Sequence, residues 1–391
     1  MRHGKATRRK RDRDRLKLCS GIIFRAFLGG ATGLSAEAAG ELLSIPDSIP
    51  VELRPLNRLP EDAAMPAQLR HRIARSRTVR LPEHESLYFQ ACAPPDFDLM
   101  TCARIRVGRA TFETDRLPEG WADRCLQMDE VWVSSTFNAE VFAASGVPSE
   151  RIRILPIGIH AGVFRPGVAP ASLPHARGFC FISVFDWHER KAPELLLEAF
   201  VREFGKNEDV CLLLKVSQNV DRSFSIEDRL IYFIERDLNC RIEDIPPIIL
   251  LRGALSEDEM AALYVAADCF VLPSRGEGWG IPYMEALACE TPVIATRWSG
   301  QLDFLHDDNS DLIEIDGVIP VAADTNHEVF AGQCWAQPSL EHLRQLMRQA
   351  AEHPDRGRRK AQQGRQEILQ RWDWKHVGRL WTEAFLQFLE V

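Results

Sequence analysis

At 391 residues the chain is longer than one compact core usually supports, and two domains are the natural expectation. Its 45% hydrophobic and 27% charged content is that of an ordinary globular protein, and the formal charge of −8 argues against bulk affinity for nucleic acid. No apolar run is long enough to span a bilayer, and the ten cysteines form no C-x-x-C pair and no metal-ligand cluster with histidine, so they read as reduced thiols of a cytoplasmic protein.

Met1 to Lys17 is dense in Arg and Lys but lacks the apolar stretch and cleavage site of a signal peptide. Residues 1–20 read as a basic, disordered, solvated tail; the sharper alternative is a weak anchor for anionic lipid, diluted by Asp12 and Asp14. Gly21 to Leu28 then reads as a strand, Gly29, Gly30 and Gly33 as a glycine loop, and Ser35 to Leu43 as a short helix. That unit opens a doubly wound domain, although a plain tight turn fits the glycines equally well.

Further on, a strand is expected near Val51 to Leu53 and a short helix around Ala67 to Ala74, with strands at Leu87 to Ala91 and Phe97 to Ala103. A strand after Arg104 ends in the polar run Thr111, Glu113, Thr114 and Asp115. The two acids there have a plain structural reading, as helix caps or as ion-pair partners of Arg104 or Arg109. A helix from Trp121 to about Met128, a strand from Glu130 to Ser135, a helix from Thr136 to Gly146 and a strand from Arg151 to Pro156 complete a first domain, 21–165. Prolines and glycines mark the linker, 166–178.

The second domain, 179–372, starts with the buried strand Gly178 to Trp187. Arg190 and Lys191 follow, just ahead of a helix. Cations at a helix N-terminus oppose its dipole unless an anion sits there, so the pair suits a diphosphate. Strands at 211–217 and 246–253, a helix from Ser225 to Leu238, and a capping box of Ser256 and Glu259 opening a helix to Ala267 come next. Strand Cys269 to Leu272 leads into a loop with Gly276, Gly278 and Gly280, a helix from Pro282, and strand Val293 to Thr296. A glycine loop at the carboxyl end of parallel strands lets backbone approach a ligand, and the helix N-terminus attracts phosphate. Glu277 lies on the loop and Glu285 about one turn inside the helix, so they stand at different depths and do not share one proton or metal. One can face a reacting group near the phosphates; the other can accept hydrogen bonds from a hydroxyl pair such as a ribose. Residues 301–338 read as polar and irregular, followed by helices at Leu340 to Glu352 and Arg356 to Gln370 and a last helix to Leu389, with Trp372, Trp374 and Trp381 as packing residues.

The central stretch resembles the donor-binding signature of the retaining glycosyltransferases of family four. Pro273, Ser274, Glu277, Gly278, Gly280, Glu285, Ala286 and the run Pro292 to Thr296 carry the likeness, with Glu290 in place of a common glycine. The resemblance covers residues 105–300 best. It implies the GT-B architecture: α/β, two Rossmann-like doubly wound parallel-sheet domains facing a cleft, with residues 373–391 crossing back as a helix. It implies metal-independent transfer of a sugar, with retention, from a nucleoside diphosphate sugar to an acceptor hydroxyl on a carbohydrate, lipid-linked or protein acceptor, and no cofactor. Glu277, Lys191 and Arg190 would act on the donor sugar and diphosphate. Glu285 would bind the ribose, Gly278, Trp279, Gly280 and Ile281 would line the donor pocket, and Gly29 and Gly30 would face the phosphates across the cleft. Relatives carry a histidine in the region of Thr111 to Asp115; its absence leaves Glu113 and Asp115 as acceptor-contact candidates, and the departing phosphate as the group that takes the acceptor's proton. The family's arginine ahead of Lys191 falls near Asp186 and is shifted to Arg190. The rival reading is a non-catalytic nucleotide- or sugar-binding protein, a sensor or scaffold, on the same fold.

Overall fold

The computed structural model describes residues 18–29, 32–59, 65–173, 176, 178–217, 225–322 and 328–389. The first sheet contains β1 (Gly21–Ala26), β2 (Val51–Leu53), β3 (Ser86–Ala91), β4 (Ile105–Arg109), β5 (Glu130–Val133) and β6 (Ile152–Ile154). They pair in parallel in the order β2-β1-β3-β4-β5-β6. Helices α1 (Gly33–Leu43), α2 (Ala67–Ser76), α3 (Trp121–Cys125) and α4 (Thr136–Ala144) cross between these strands.

The second sheet contains β7 (Phe179–Asp186), β8 (Val210–Ser217), β9 (Ile248–Leu251), β10 (Cys269–Leu272), β11 (Val293–Thr296) and β12 (Asp311–Ile313), in the order β12-β11-β10-β7-β8-β9. Helices α5 (Pro193–Glu203), α6 (Ile226–Tyr232), α7 (Glu257–Val265) and α8 (Ile281–Ala288) connect them. Its central strands β8, β10 and β11 are buried nearly throughout, because helices cover both faces, and so they read as unbroken apolar runs rather than alternations. The result is α/β with two doubly wound sheets. Each has one point where the strand order reverses, between β1 and β3 in the first and between β7 and β10 in the second, and crevices for ligands open at the carboxyl ends of such strands.

Helices α9 (Leu340–Glu352) and α10 (Pro354–Glu367) pack on the second sheet's side, and α11 (Trp374–Leu386) closes the chain. In α11, Val377, Trp381, Ala384 and Phe385 follow helical spacing and enter the core that holds Phe24, Phe89 and Trp132 of the first sheet. The Trp381 indole meets its polar requirement by donating to Pro156 O at 2.9 Å.

Two expectations need correction. Phe97 to Ala103 forms no strand: β3 pairs directly with β4 (Leu87↔Ile105), leaving no gap for another. The segment is instead held by polar groups, with Thr101 Oγ1 and the Cys102 amide donating to Glu83 and the Asp98 amide to Gln90. The described residues of 301–338 are not irregular. They supply β12 and an antiparallel hairpin of β13 (Ile315–Pro320) and β14 (Cys334–Pro338). Gly317 and Pro320 masked β13 as a loop, yet alternate residues of that strand are more and less exposed, as in a strand with one face against the protein. This hairpin belongs to the second half of the sequence but packs on the first sheet's side: Val321, Phe330 and Trp335 share a core with Phe112, Trp121 and Phe142.

Candidate functional site

The loops after β7 and β10 meet at the reversal point of the second sheet. After β10 the chain passes Pro273 and Ser274 into the glycine loop, and α8 begins at Ile281. The geometry demands glycine at two places. A Cβ on Gly276 would collide with the Glu113 carbonyl oxygen of the first domain. Gly280, the N-cap of α8, sits at φ +95°, where a side chain is strained. The loop is tied down by Ser299, whose hydroxyl accepts from the Glu277 amide at 2.8 Å, and by Ser134 of the first domain, whose hydroxyl donates to Gly278 O at 2.9 Å.

After β7, Glu189 to Lys191 form one tight turn that ends with Ala192 at φ +52°, and Pro193 then starts α5. The turn aims both cations at the glycine loop. Lys191 Nζ lies 2.5 Å from Glu277 Oε1, and Arg190 Nη1 lies 3.3 Å from Glu277 Oε2. Arg190 also donates to Gly276 O at 2.5 Å and pairs with Glu113 Oε1 at 3.3 Å. Its Nε is buried with no hydrogen-bond partner. Arg190, Lys191, Glu277 and Glu113 therefore form one cluster built from both domains, with Arg190 and Glu277 buried and Lys191 and Glu113 partly exposed. Burial alone would raise the Glu277 carboxyl, but Lys191 and Arg190 outweigh it and hold the group below the usual carboxylate range. Burial, aided by the charge of Arg190, pulls the Lys191 ammonium down against the attraction of Glu277.

Glu285 does not reach this cluster's ion pairs. It accepts the Tyr264 hydroxyl at 2.8 Å from α7, and burial, partly offset by that hydrogen bond, pushes its carboxyl up to about 8. Lys215, near the end of β8, is buried and donates to Gly253 O at 2.7 Å, fixing the loop after β9. The Trp279 side chain turns away from the loop face and stacks on Trp372 (5.3 Å) and Phe304 (5.2 Å), so only its backbone is available to a ligand.

From the first domain, Gly29 takes φ +73°, and Asn57 clamps the same turn by two 2.9 Å bonds to Leu28; Gly30 lies outside the described residues. A Cβ on Gly33, at the start of α1, would stand 3.7 Å from Ile281 Cδ1, so the two glycine loops face each other across the domains. The expected pairing of Glu113 or Asp115 with Arg104 or Arg109 is absent among the described residues. Arg109 is buried under α1, bound to Glu37 and, at 3.0 Å, to Glu41. Glu113 has turned to Arg190. Asp115 instead holds the hairpin, its Oδ1 accepting from the Cys334 amide at 2.6 Å and its own amide donating to Cys334 O. Sequence reading missed Ser134, Asn57, Ser299 and Phe330, whose ring lies 5.9 Å from the Arg190 guanidinium carbon. Only Ser299, in the Trp298-Ser-Gly run after β11, had a local signal, and its φ of +79° is invisible in sequence. No three His, Cys, Asp or Glu gather as a metal would require among the described residues.

Fold and site define a two-domain α/β protein of GT-B architecture with its glycine loop at the reversal point of the second sheet. Residues 176–323 match the family described as Glycosyl transferases group 1. Over 177 residues, 43% of this chain and 39% of the relative, it is 27% identical to D-inositol 3-phosphate glycosyltransferase of Pseudarthrobacter chlorophenolicus. Over 103 residues, 26% of this chain and 28% of the relative, it is 34% identical to an uncharacterized glycosyltransferase of Methanocaldococcus jannaschii. The matches thus span about two fifths or less of these relatives. The crystal structure of Anabaena HepE in complex with UDP and glucose is similar with a TM-score of 0.64, covering 94% of this chain and 99% of that one at 15% identity. Sucrose-phosphate synthase from Thermosynechococcus elongatus gives 0.63 over 94% and 98% at 16%. At such identities the likeness concerns the fold.

Proposed function

We propose that the protein is a retaining, metal-independent glycosyltransferase that moves a sugar from a nucleoside diphosphate sugar to an acceptor hydroxyl. The observation that carries this reading is the cluster of Lys191, Arg190 and Glu277 beneath a glycine loop that faces a second glycine loop from the other domain. The diphosphate lies at the N-terminus of α8, where free amides and the helix dipole favour negative charge. Lys191 and Arg190 stabilise the charge that develops as the bond from the anomeric carbon to the diphosphate oxygen breaks. The acceptor oxygen bonds to the anomeric carbon on the same face, and its proton passes to the departing phosphate oxygen. Glu277, kept ionised by the two cations, lies beside the donor sugar and fixes their positions. Glu285 receives the ribose hydroxyls through the oxygen that Tyr264 does not use. Glu113 contacts the acceptor side through its pairing with Arg190.

Ten free cysteines suit a cytoplasmic enzyme, and peripheral contact with a membrane is assigned to the basic residues 1–20. The acceptor is a carbohydrate, a lipid-linked sugar or a protein. A non-catalytic nucleotide- or sugar-binding role gains one specific support: carboxylates already neutralise both cations within 3.3 Å. Release of nucleoside diphosphate from a panel of nucleotide sugars, wild type against Glu277→Ala, separates the two. Turnover of one donor, lost in the variant, is expected; donor binding without turnover in the presence of candidate acceptors supports the non-catalytic role.

A further inference from the structure

The chain runs between the two domains twice, out past His160 to Val163 and back at Asp373 and Trp374. The two passages are tied together: the Ile159 amide donates to Trp372 O at 2.9 Å, and the Trp374 amide donates to Ile159 O at 3.0 Å. Helix α1 is fitted onto this junction, since a Cβ on Gly40 or on Gly158 would collide with the Trp374 ring. A groove of about 1090 Å³ opens beside it. Its walls are the end of α1 with the turn that follows, the first turns of α2 and α11, and residues 160–163. Arg190, Lys191, Glu277 and Glu285 have no part in it.

The groove is basic, against the acidic balance of the whole chain. Arg72, Lys375, Arg379, His71 and His160 line it, with only Asp47 and Asp373 to oppose them. Both acids are already engaged. Asp47 is shared by Arg72 at 2.9 Å and Arg75 at 3.1 Å. Asp373 is buried and caps α11 by accepting from the Lys375 amide at 2.8 Å. Arg72 is 5% exposed, and its Nε has no hydrogen-bond partner among the described residues. Lys375 and Arg379 stand about one turn apart on α11, both exposed, with no ion-pair partner among the described residues. Like charges at that spacing repel each other, a cost that an anion between them relieves.

We propose that this groove is a second anion site, which takes a small soluble phosphomonoester. Arg and Lys side chains converging from α2 and α11 suit phosphate oxygens, and charge-assisted hydrogen bonds to them are the strong ones. The groove is larger than a phosphate alone needs, and Ile45, Ala161 and Val163 give the organic part of the ester an apolar wall. An occupant touches both passages between the domains, so binding braces the linker against α1 and α2. The proposal stands whether or not the chain transfers sugar.

The test is calorimetric titration of the full chain with glycerol 3-phosphate, with glycerol as the uncharged control. Saturable binding of the phosphate ester alone is expected, together with a rise in melting temperature as the ester is added. Lys375→Glu with Arg379→Glu should weaken binding by at least about tenfold, as loss of charge-assisted hydrogen bonds does. Gln68→Glu sets a carboxylate in the groove at the first turn of α2, where negative charge suits the helix, so it should fold and weaken binding in the same direction. The same titration on Lys191→Ala separates the groove from the donor cluster: the affinity should be unchanged. Loss of binding in Lys191→Ala, wild-type affinity in both groove variants, equal binding of glycerol, or no saturable binding in the millimolar range would each overturn the proposal. Donor hydrolysis, read on the same preparations, reports on the transferase reading separately.

Discussion

Glu113 of the first domain and Arg190 of the second are held 3.3 Å apart, across the interface that a ligand would enter. The same guanidinium binds Glu277 and Gly276 O, so its direction depends on both domains being in contact. Glu113→Gln should leave the fold intact and lower kcat/KM by about tenfold, or about 1.4 kcal/mol of transition-state stabilisation. Steady-state kinetics with the identified donor checks this. Wild-type values would leave Glu113 as a bystander.

Lys191 is the cation nearest the Glu277 carboxylate, at 2.5 Å. Its replacement by alanine should reduce kcat/KM by about 100- to 1,000-fold, the range for loss of one charge-stabilising donor. Because Glu277 would keep Arg190, the variant should fold; circular dichroism is the control. Unchanged kcat/KM with a native spectrum would remove Lys191 from the reaction.

Glu285 has one oxygen committed to Tyr264. Glu285→Ala should raise the donor KM more than it lowers kcat, because a ribose contact is made equally in ground and transition states. A wild-type donor KM would contradict the ribose assignment.

Trp335 and Phe330 carry the hairpin onto the core of the first domain. Trp335 is 1% exposed, and Trp335→Ala should cost about 3–5 kcal/mol. Thermal unfolding of the variant measures it. A melting temperature within a degree or so of wild type would mean that the hairpin is not part of that core in solution.

Burial first, and then the charge of Glu37, push the Glu41 carboxyl up to about 8 against the pull of Arg109. Burial pushes Glu285 equally far. A carboxyl raised on folding stabilises while protonated. That contribution is complete below the ordinary carboxylate range and is lost as pH climbs through the folded value. The melting temperature should therefore fall between about pH 5 and about pH 8, and Glu41→Gln should flatten part of the slope. An identical slope in the variant would assign the dependence to other groups.

Much of this molecule is written locally in its sequence. Buried apolar runs bounded by glycine and proline defined the parallel strands, because a strand covered on both faces has no polar side to show. The spacing of Gly276, Gly278 and Gly280 before Pro282 and Glu285 defined the loop and helix, because backbone conformation at a helix start is a local matter. Proximity across the chain was not legible. Nothing in the run Thr111 to Asp115 says that Glu113 will meet Arg190 while Asp115 fastens Cys334. Nor does the segment after Gly300, rich in polar residues, announce that Phe330 and Trp335 will enter a core with Phe112, Trp121 and Phe142. Side-chain partners of this kind are chosen when two sheets and a crossing helix come together. The sequence by itself determined the elements and the chemistry at their ends, and only the tertiary structure decided which charges are paired, because pairing depends on distances that the chain sets by folding.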